Sequence, residues 1–234
     1  MSAARSGPVF WRSFAIFEGL AAEPIAMLDA MAIPRRWMAG ETLFQRGDEG
    51  DYVILVHQGR IKLSLLTANG RELTLRYAEP GDILGELSLL DGQARSADAT
   101  AAEAGEGLVL RRADFERLRA RFPDIAGAMI RYLAGRLRDT TEQLESIAMF
   151  EIEARLARFL LLTLRQYFED DIPETPQLRL ALNQSELAAM LGASRPKVNK
   201  AIQALEAAKA ISRNGDVLSC DLERLMLIAD PALQ

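Results

Sequence analysis

The stretch Gly85-Glu86-Leu87-Ser88-Leu89-Leu90-Asp91-Gly92-Gln93-Ala94-Arg95-Ser96-Ala97 gathers residue types that can handle a phosphate. Glycine at 85 lets a main chain come close to a ligand. A short helix beginning there aims free N–H groups outward, which favours an anion. Arg95 adds a planar fork of donors and Ser96 a hydroxyl for the same group. Glu86 is an acceptor of the kind that suits a ribose 2′-hydroxyl. Gly85, Glu86, Leu87, Ser88, Arg95, Ser96 and Ala97 are therefore candidate ligand-binding residues. Taken alone, the same residues also allow a plainer reading, a surface ion pair between Glu86 and Arg95 on an ordinary loop. If Arg95 serves the ligand, the expectation is that thermal stability without ligand does not depend on it.

A second group of residues suits nucleic acid. Asn183 to Lys200 reads as a helix, a turn and a second helix: Asn183 can cap the first helix with Glu186 three positions on. Gly192 permits the turn, Ser194 can cap the second helix, and Pro196 sits early in it, where its missing N–H costs nothing. From Gln177 to Arg213 the basic residues Arg179, Arg195, Lys197, Lys200, Lys209 and Arg213 stand against Glu186 and Glu206 alone. Such local positive charge is what contact with a DNA backbone requires; a solvated helix face is the alternative. Ile211-Ser212-Arg213 and Val217-Leu218-Ser219 flank Asn214-Gly215-Asp216, a hairpin signal and a candidate wing.

The elements that must carry these residues follow from punctuation and period. Half of the 16 glycines lie between Gly40 and Gly92. Between them run short β-type segments, 52–56, 60–65 and 72–77, with Ala68-Asn69-Gly70 as a turn and 107–110 as a further strand. Short strands at such spacing predict a small all-β roll. Beyond residue 112 the period becomes helical. Ile130, Leu133, Leu137, Thr140, Leu144 and Ile147 alternate steps of three and four, the seam of a helix that pairs with another helix. A helix lying on its own domain's core is the other reading, but Arg131, Arg136, Arg138, Asp139, Glu142, Gln143 and Glu145 dress the remaining faces. A symmetric homodimer fits that better. Thr140 on the seam can mark register. A long helix is expected over 151–168, followed by a surface linker, 169–177.

Composition removes several classes of function. The 234 residues suffice for two small domains, and a net charge of −5 argues against a chain coated in positive charge. One cysteine, Cys220, excludes a disulfide framework or a cysteine-held iron–sulfur cluster within one subunit, and one histidine, His57, excludes a multi-histidine metal site. His57, Trp11, Trp37 and the methionines read as core or edge residues, and no haem or metal is expected. No nucleophile–base pair is visible, so the chain is not expected to be an enzyme. Residues 1–17 mix Arg5, Pro8 and Arg12 among apolar residues and do not form a signal peptide; no apolar run is long enough for a bilayer, and a cytoplasmic protein is expected.

Gly85 to Ala97 resembles the phosphate-binding cassette of cyclic-nucleotide-binding domains. Gly40-Glu41 and Gln45-Arg46-Gly47-Asp48-Glu49-Gly50-Asp51 resemble turns of the same β-roll. Together with the seam helix and the helix–turn–helix, nearly the whole chain resembles the CRP/FNR family of bacterial transcription regulators, particularly the cAMP-receptor-like regulators of rhizobia. The resemblance implies an α+β fold in three parts: a cyclic-nucleotide-binding β-roll over 1–122, a dimerisation helix over 123–149 and a winged helix–turn–helix over 150–234. It implies cAMP or cGMP as effector, with Glu86 on the ribose and Arg95 and Ser96 on the cyclic phosphate. Arg136-Leu137-Arg138-Asp139-Thr140-Thr141 matches the dimer-helix stretch whose two hydroxyl residues, Thr140 and Thr141, reach the purine. It also implies a homodimer on double-stranded DNA, with RNA polymerase as a further partner. Ser194, Arg195, Pro196, Lys197, Asn199, Lys200 and Arg213 become the expected DNA-binding residues. Pro196 departs from the acidic residue common in the family, which puts the usual half-site in doubt because proline cannot accept from a cytosine amine.

Overall fold

Aromatic residues anchor the start of the fold. The computed structural model describes residues 8–69, 72–168, 171–179, 183–215 and 217–230. A short helix α1 (Pro8–Arg12), one 3₁₀ turn (Ala15–Phe17) and α2 (Ala22–Met31) come first. Trp11, Phe14 and Phe17 are buried here in edge and tilted ring contacts, and the Trp11 indole donates to Asp29 Oδ1 at 2.9 Å. Indole and phenyl rings bury much apolar area, and an indole N–H inside a protein needs an acceptor.

Eight strands follow: β1 (Ile33–Trp37), β2 (Thr42–Phe44), β3 (Tyr52–Gln58), β4 (Ile61–Leu66), β5 (Glu72–Ala78), β6 (Ile83–Leu84), then helix α3 (Glu86–Asp91), β7 (Asp98–Ala101) and β8 (Gly105–Arg111). They form two antiparallel four-stranded sheets in the orders β1-β8-β3-β6 and β2-β7-β4-β5. Both sheets contribute side chains to one interior, Trp37, Phe44, Ile54, Val56, Ile61, Leu84 and Ala99 among them. The other face of the first sheet carries Val53, Leu55, Leu108 and Leu110 into the aromatic cluster of the N-terminal helices. Strand β3 is therefore covered on both faces. That explains why its sequence is a continuous apolar run whereas β4 and β5 alternate. The expected strands all form, with β3 extending to Gln58 and β8 beginning at Gly105; of the expected turn, Gly70 lies outside the described residues. Strands β1, β2 and β7 were not legible from alternation: Pro34, Arg35 and Arg36 sit in β1, an edge strand, where a missing N–H and charged side chains are tolerated.

Helices α4 (Arg112–Arg121) and α5 (Asp124–Met149) come next. The chain forms two compact units, residues 1–140 and 141–234, and the division falls within α5. In the first unit Ile125, Ala128 and Met129 of α5 are buried on the aromatic core, with Leu133 packed against it. Ile130 and Leu137 are instead 67% and 68% exposed, and further along Leu144 is 65% exposed. The helix thus divides: Ile125, Ala128 and Met129 lie on the chain's own core, and of the seam Leu133 packs against that core while Ile130, Leu137 and Leu144 face outward.

The second unit contains α6 (Ile152–Phe168), β9 (Gln177–Arg179), α7 (Gln184–Met190), α8 (Arg195–Ala207), the hairpin β10 (Ile211–Asn214) and β11 (Val217–Cys220), and α9 (Leu222–Ala229). Its core joins Leu156, Leu160 and Leu164 of α6 to Leu187, Val198, Ile202, Leu205, Leu218 and Leu225. Arg155 ties the start of α6 together, donating from Nε to the Phe150 carbonyl at 2.8 Å and from Nη1 to the Leu191 carbonyl at 3.0 Å. Among the described residues no helix is long and apolar enough to cross a membrane.

Cys220 is 2% exposed in β11, and burial pushes its thiol pKa up to about 11. Since only a thiolate attacks alkylating reagents, native protein at pH 8 should resist iodoacetamide and react fully once unfolded in urea. Rapid native-state labelling, read by mass spectrometry, would contradict this burial.

Candidate functional site

The stretch singled out in the sequence folds around one arginine. Gly85 has φ +81° and ends β6; α3 starts immediately after it, and Gly92, at φ +75°, ends that helix. A methyl group on Gly85 would lie 2.0 Å from Arg95 Nη1, so glycine is required here for space as well as for backbone conformation. The Arg95 guanidinium donates from Nη1 to the Gly85 carbonyl at 3.0 Å and from Nη2 to the Tyr52 carbonyl at 2.7 Å. It lies over the rings of Phe44 and Tyr52, 4.4 and 4.6 Å from their centres. Its backbone is held as well: the Arg95 amide donates to Asp48 O, and Gly47 N–H donates to Arg95 O, both at 2.9 Å. This is how the glycine-rich turn at 45–51 reaches the site.

Among the described residues no carboxylate hydrogen-bonds Arg95, so the plain ion pair with Glu86 does not form. The residue is 2% exposed, and among the described residues its Nε has no partner. Burial lowers its pKa, with Tyr52, Asp51 and Glu86 opposing. A guanidinium has five donors, and here a buried, carbonyl-bound cation keeps donor capacity in reserve. That fits an anion. The expectation that the fold is indifferent to Arg95 needs correcting, because two carbonyls from distant parts of the roll take their hydrogen bonds from it. Arg112 does similar work on the far side, donating from Nη2 to the carbonyls of Gly50 at 2.5 Å and Ser88 at 2.6 Å.

The other candidates sort by exposure. Leu87 is 44% exposed and Ser96 is exposed, while Ser88 and Ala97 are 2% and 6% exposed. A methyl on Gly50 would meet Ser88 Cβ at 2.4 Å and Oγ at 2.8 Å, so the Ser88 side chain packs inward against Gly50. Glu86 is half-buried, and its pKa is raised: burial dominates over its own backbone hydrogen bond and over the Arg76 and Arg136 cations. Arg136, one of those two cations, is held by neighbours of its own. It bonds Asp82 Oδ1, reaches Asp139 at 3.6 Å and stacks on Tyr132 at 5.1 Å. Burial works against the Arg136 cation, but Tyr132, Asp82 and Asp139 outweigh it and hold its pKa above the ordinary value. Arg76, Asp82 and Tyr132 were missed in the sequence, since nothing in their spacing links a turn to α5. Thr140 is exposed and its hydroxyl donates to Arg136 O at 2.8 Å, leaving lone pairs to accept. Thr141 is exposed in the second unit.

In that unit, Asn183 accepts from the amides of Ser185 and Glu186 while Glu186 accepts from Asn183 N–H, a complete capping box. Gly192 turns the chain at φ +61°. Ser194 occupies the N-cap of α8 but makes no side-chain cap bond, contrary to expectation; Pro196 stands in the first turn. Val198, Ala201, Ile202 and Leu205 face the core, whereas Arg195, Pro196, Lys197 and Lys200 are exposed and Asn199 is half-buried. Arg195 Nε donates to Gln184 Oε1 at 3.2 Å, and Arg213 of β10 approaches Glu206 at 3.8 Å. The hairpin forms with Gly215 at φ +61°; Asp216 lies outside the described residues.

A β-roll built around a buried arginine, followed by a winged helix–turn–helix, defines a two-part DNA-binding class of protein. Comparison with known proteins agrees. Residues 34–122 match the cyclic nucleotide-binding domain family, and residues 154–228 match the Crp-like helix-turn-helix domain family. The chain is 36% identical to the cyclic AMP receptor protein of Thermus thermophilus over 81% of its length and 84% of the relative's. It is 32% identical to a CRP-like cAMP-activated global transcriptional regulator of Mycobacterium tuberculosis, over 90% and 94% of the two chains. The fold is also that of the global regulator CLP of Xanthomonas campestris, with TM-score 0.73, 23% identity and coverage of 86% and 99%. The chain belongs to the CRP/FNR family and is a cyclic-nucleotide-binding, CRP-like transcription regulator.

Glu86 also sets a pH dependence. Its folded carboxyl keeps a proton to higher pH than the unfolded one, so in that window the folded state binds more protons and stability falls as pH rises. Glu86→Gln should therefore stabilise the ligand-free protein near neutral pH, and the gain should vanish below about pH 4. Urea melts at both pH values check this; a gain of equal size at both would refute it.

Proposed function

We propose that the protein is a homodimer in which each subunit binds cAMP or cGMP, and that the nucleotide promotes binding to an inverted-repeat operator. The observation that carries this is the Arg95 cage: a buried guanidinium, paired with carbonyls and rings but no carboxylate, with an unpartnered Nε. A cyclic phosphate supplies the missing charge, the exposed Ser96 adds a hydroxyl, and Glu86 accepts from the ribose. Gly85, Leu87, Ser88 and Ala97 contribute through their place around the cage. Thr140, whose hydroxyl already donates within α5, offers an acceptor to an exocyclic amine of the base, with Thr141 and Arg136 beside it in sequence. The cAMP-activated relative from Mycobacterium tuberculosis supports a cyclic nucleotide as effector.

In this reading residues 1–122 are the sensor, 123–149 the dimerisation helix and 150–234 the DNA-binding part. The outward seam residues Ile130, Leu137 and Leu144 support pairing through α5. Nucleotide and operator are coupled by a free energy of about 1–3 kcal/mol, and linkage makes the effect reciprocal. RNA polymerase is the further partner, and the protein acts in the cytoplasm as a binding protein rather than an enzyme.

Two measurements test the reading. Losing one member of a desolvated charge pair costs about 3–5 kcal/mol, so Arg95→Ala should weaken cAMP and cGMP binding at least about a hundredfold in calorimetry on protein checked for folding by circular dichroism. Undiminished affinity in folded Arg95→Ala protein removes the site. On DNA, two recognition helices about 34–36 Å apart face successive major grooves. Arg195 reads a guanine, Lys197 and Arg213 hold phosphates, Lys200 takes a phosphate or a base, and Ser194, Pro196 and Asn199 complete the contact surface. Arg195→Ala should cost about 1–3 kcal/mol on the operator and relax one symmetric pair of positions, whereas Arg213→Ala should weaken all sequences alike. Competition binding on operator variants separates the two, and uniform loss for Arg195→Ala would overturn base reading.

A further inference from the structure

Asp82, in the turn between β5 and β6, is bound from several sides. Its main chain is fixed by Asp82 N–H to Glu79 O and Val56 N–H to Asp82 O, both at 2.9 Å. Its carboxylate accepts from Glu79 N–H at 3.1 Å and Arg76 Nη1 at 2.8 Å through Oδ2, and from Arg136 Nη2 through Oδ1. Arg76 and Tyr132 both donate to the Ile83 carbonyl at 3.2 Å, close before Gly85 and Glu86. The Asp82, Arg76 and Arg136 side chains are only 21%, 22% and 28% exposed. An isolated exposed ion pair holds little geometry. A half-buried carboxylate shared by two guanidinia and a main-chain amide holds a good deal more, since each bond fixes the direction of the next.

Arg136 stands on α5, and its other contacts come from the same helix: it stacks on Tyr132 and reaches Asp139, whose side chain is 68% exposed, so Asp82 is what ties it to the β-roll. We propose that Asp82 is a positioning residue that fixes Arg136 of α5 beside Glu86, and so sets the nucleotide's affinity through that arginine without touching the nucleotide. This rests on the cyclic-nucleotide reading above. It adds a part of the β-roll that lies outside the Gly85–Ala97 cradle. Arg76 supports Asp82 from the opposite side.

The test is a double-mutant cycle read by calorimetry with cAMP on the full-length protein. Asp82→Asn should weaken cAMP about tenfold in the wild-type background and less than about twofold in Arg136→Gln, because its effect passes through Arg136. General loosening of the fold would weaken cAMP equally in both backgrounds, and that result, or no loss in wild type, overturns the proposal. If Asp82→Asn does not fold, Arg76→Gln takes its place in the cycle, with an expected loss of about threefold that again disappears in Arg136→Gln. Arg95→Ala is run alongside. If wild type binds cAMP, Arg95→Ala does not, and the cycle shows no coupling, this inference alone fails. If Arg95→Ala binds like wild type, the functional reading fails and takes the inference with it.

Discussion

A guanidinium buried without a carboxylate is costly to desolvate, and much of the first unit is arranged around how Arg95 meets that cost. Two carbonyls, from Tyr52 in β3 and Gly85 after β6, take its donors, and two aromatic faces lie against its plane. Cation–π contacts contribute up to about 2 kcal/mol each when desolvated, and hydrogen bonds to charged groups about 1.5–3 kcal/mol. Neither supplies a negative charge. The cage is therefore good enough to fold and still favourable to an anion, which is the physical condition for a binding site that exists before its ligand arrives.

The neighbouring parts follow from the same constraint. Gly85 cannot carry a side chain because the guanidinium occupies that space, and Gly50 cannot because Ser88 does. Arg112 closes the opposite end of α3 on the Gly50 and Ser88 carbonyls. Glu86 is left half-buried at the first position of α3, its charge opposed by burial and moderated by Arg76 and Arg136. Arg95 at the Gly85 carbonyl and Arg112 at the Ser88 carbonyl thus brace a short helix whose own length would give it little stability.

The second unit solves a different problem. Its hydrophobic residues on α6, α7, α8 and α9 close a small core, and the capping box at Asn183 and Glu186 satisfies the amides at the start of α7. That leaves the first two turns of α8 with an uncovered face, Arg195, Lys197 and Lys200 being outward. Gln184 and Glu206, the partners of Arg195 and Arg213, are half-buried, but the arginines themselves reach the surface, where such contacts exchange readily for others.

Much of this was legible in the sequence, where the signal is local. The cassette from Gly85 to Ala97, the capping box, the hairpin about Gly215 and the three-four seam of α5 all depend on spacing along a few turns, and period and turn chemistry report those directly. Tertiary structure alone decided what spacing does not carry. It gave Arg95 carbonyl partners rather than Glu86, turned Ser88 inward, and left the Ser194 hydroxyl without a cap bond. It also laid the start of α5 on the chain's own core while leaving Ile130, Leu137 and Leu144 outward, and joined Asp82 to Arg136. Those outcomes follow from sheet register and from how helices pack on sheets, which bring together residues far apart in the chain, and a side chain's partner is then set by what is left nearby to neutralise or hydrogen-bond it.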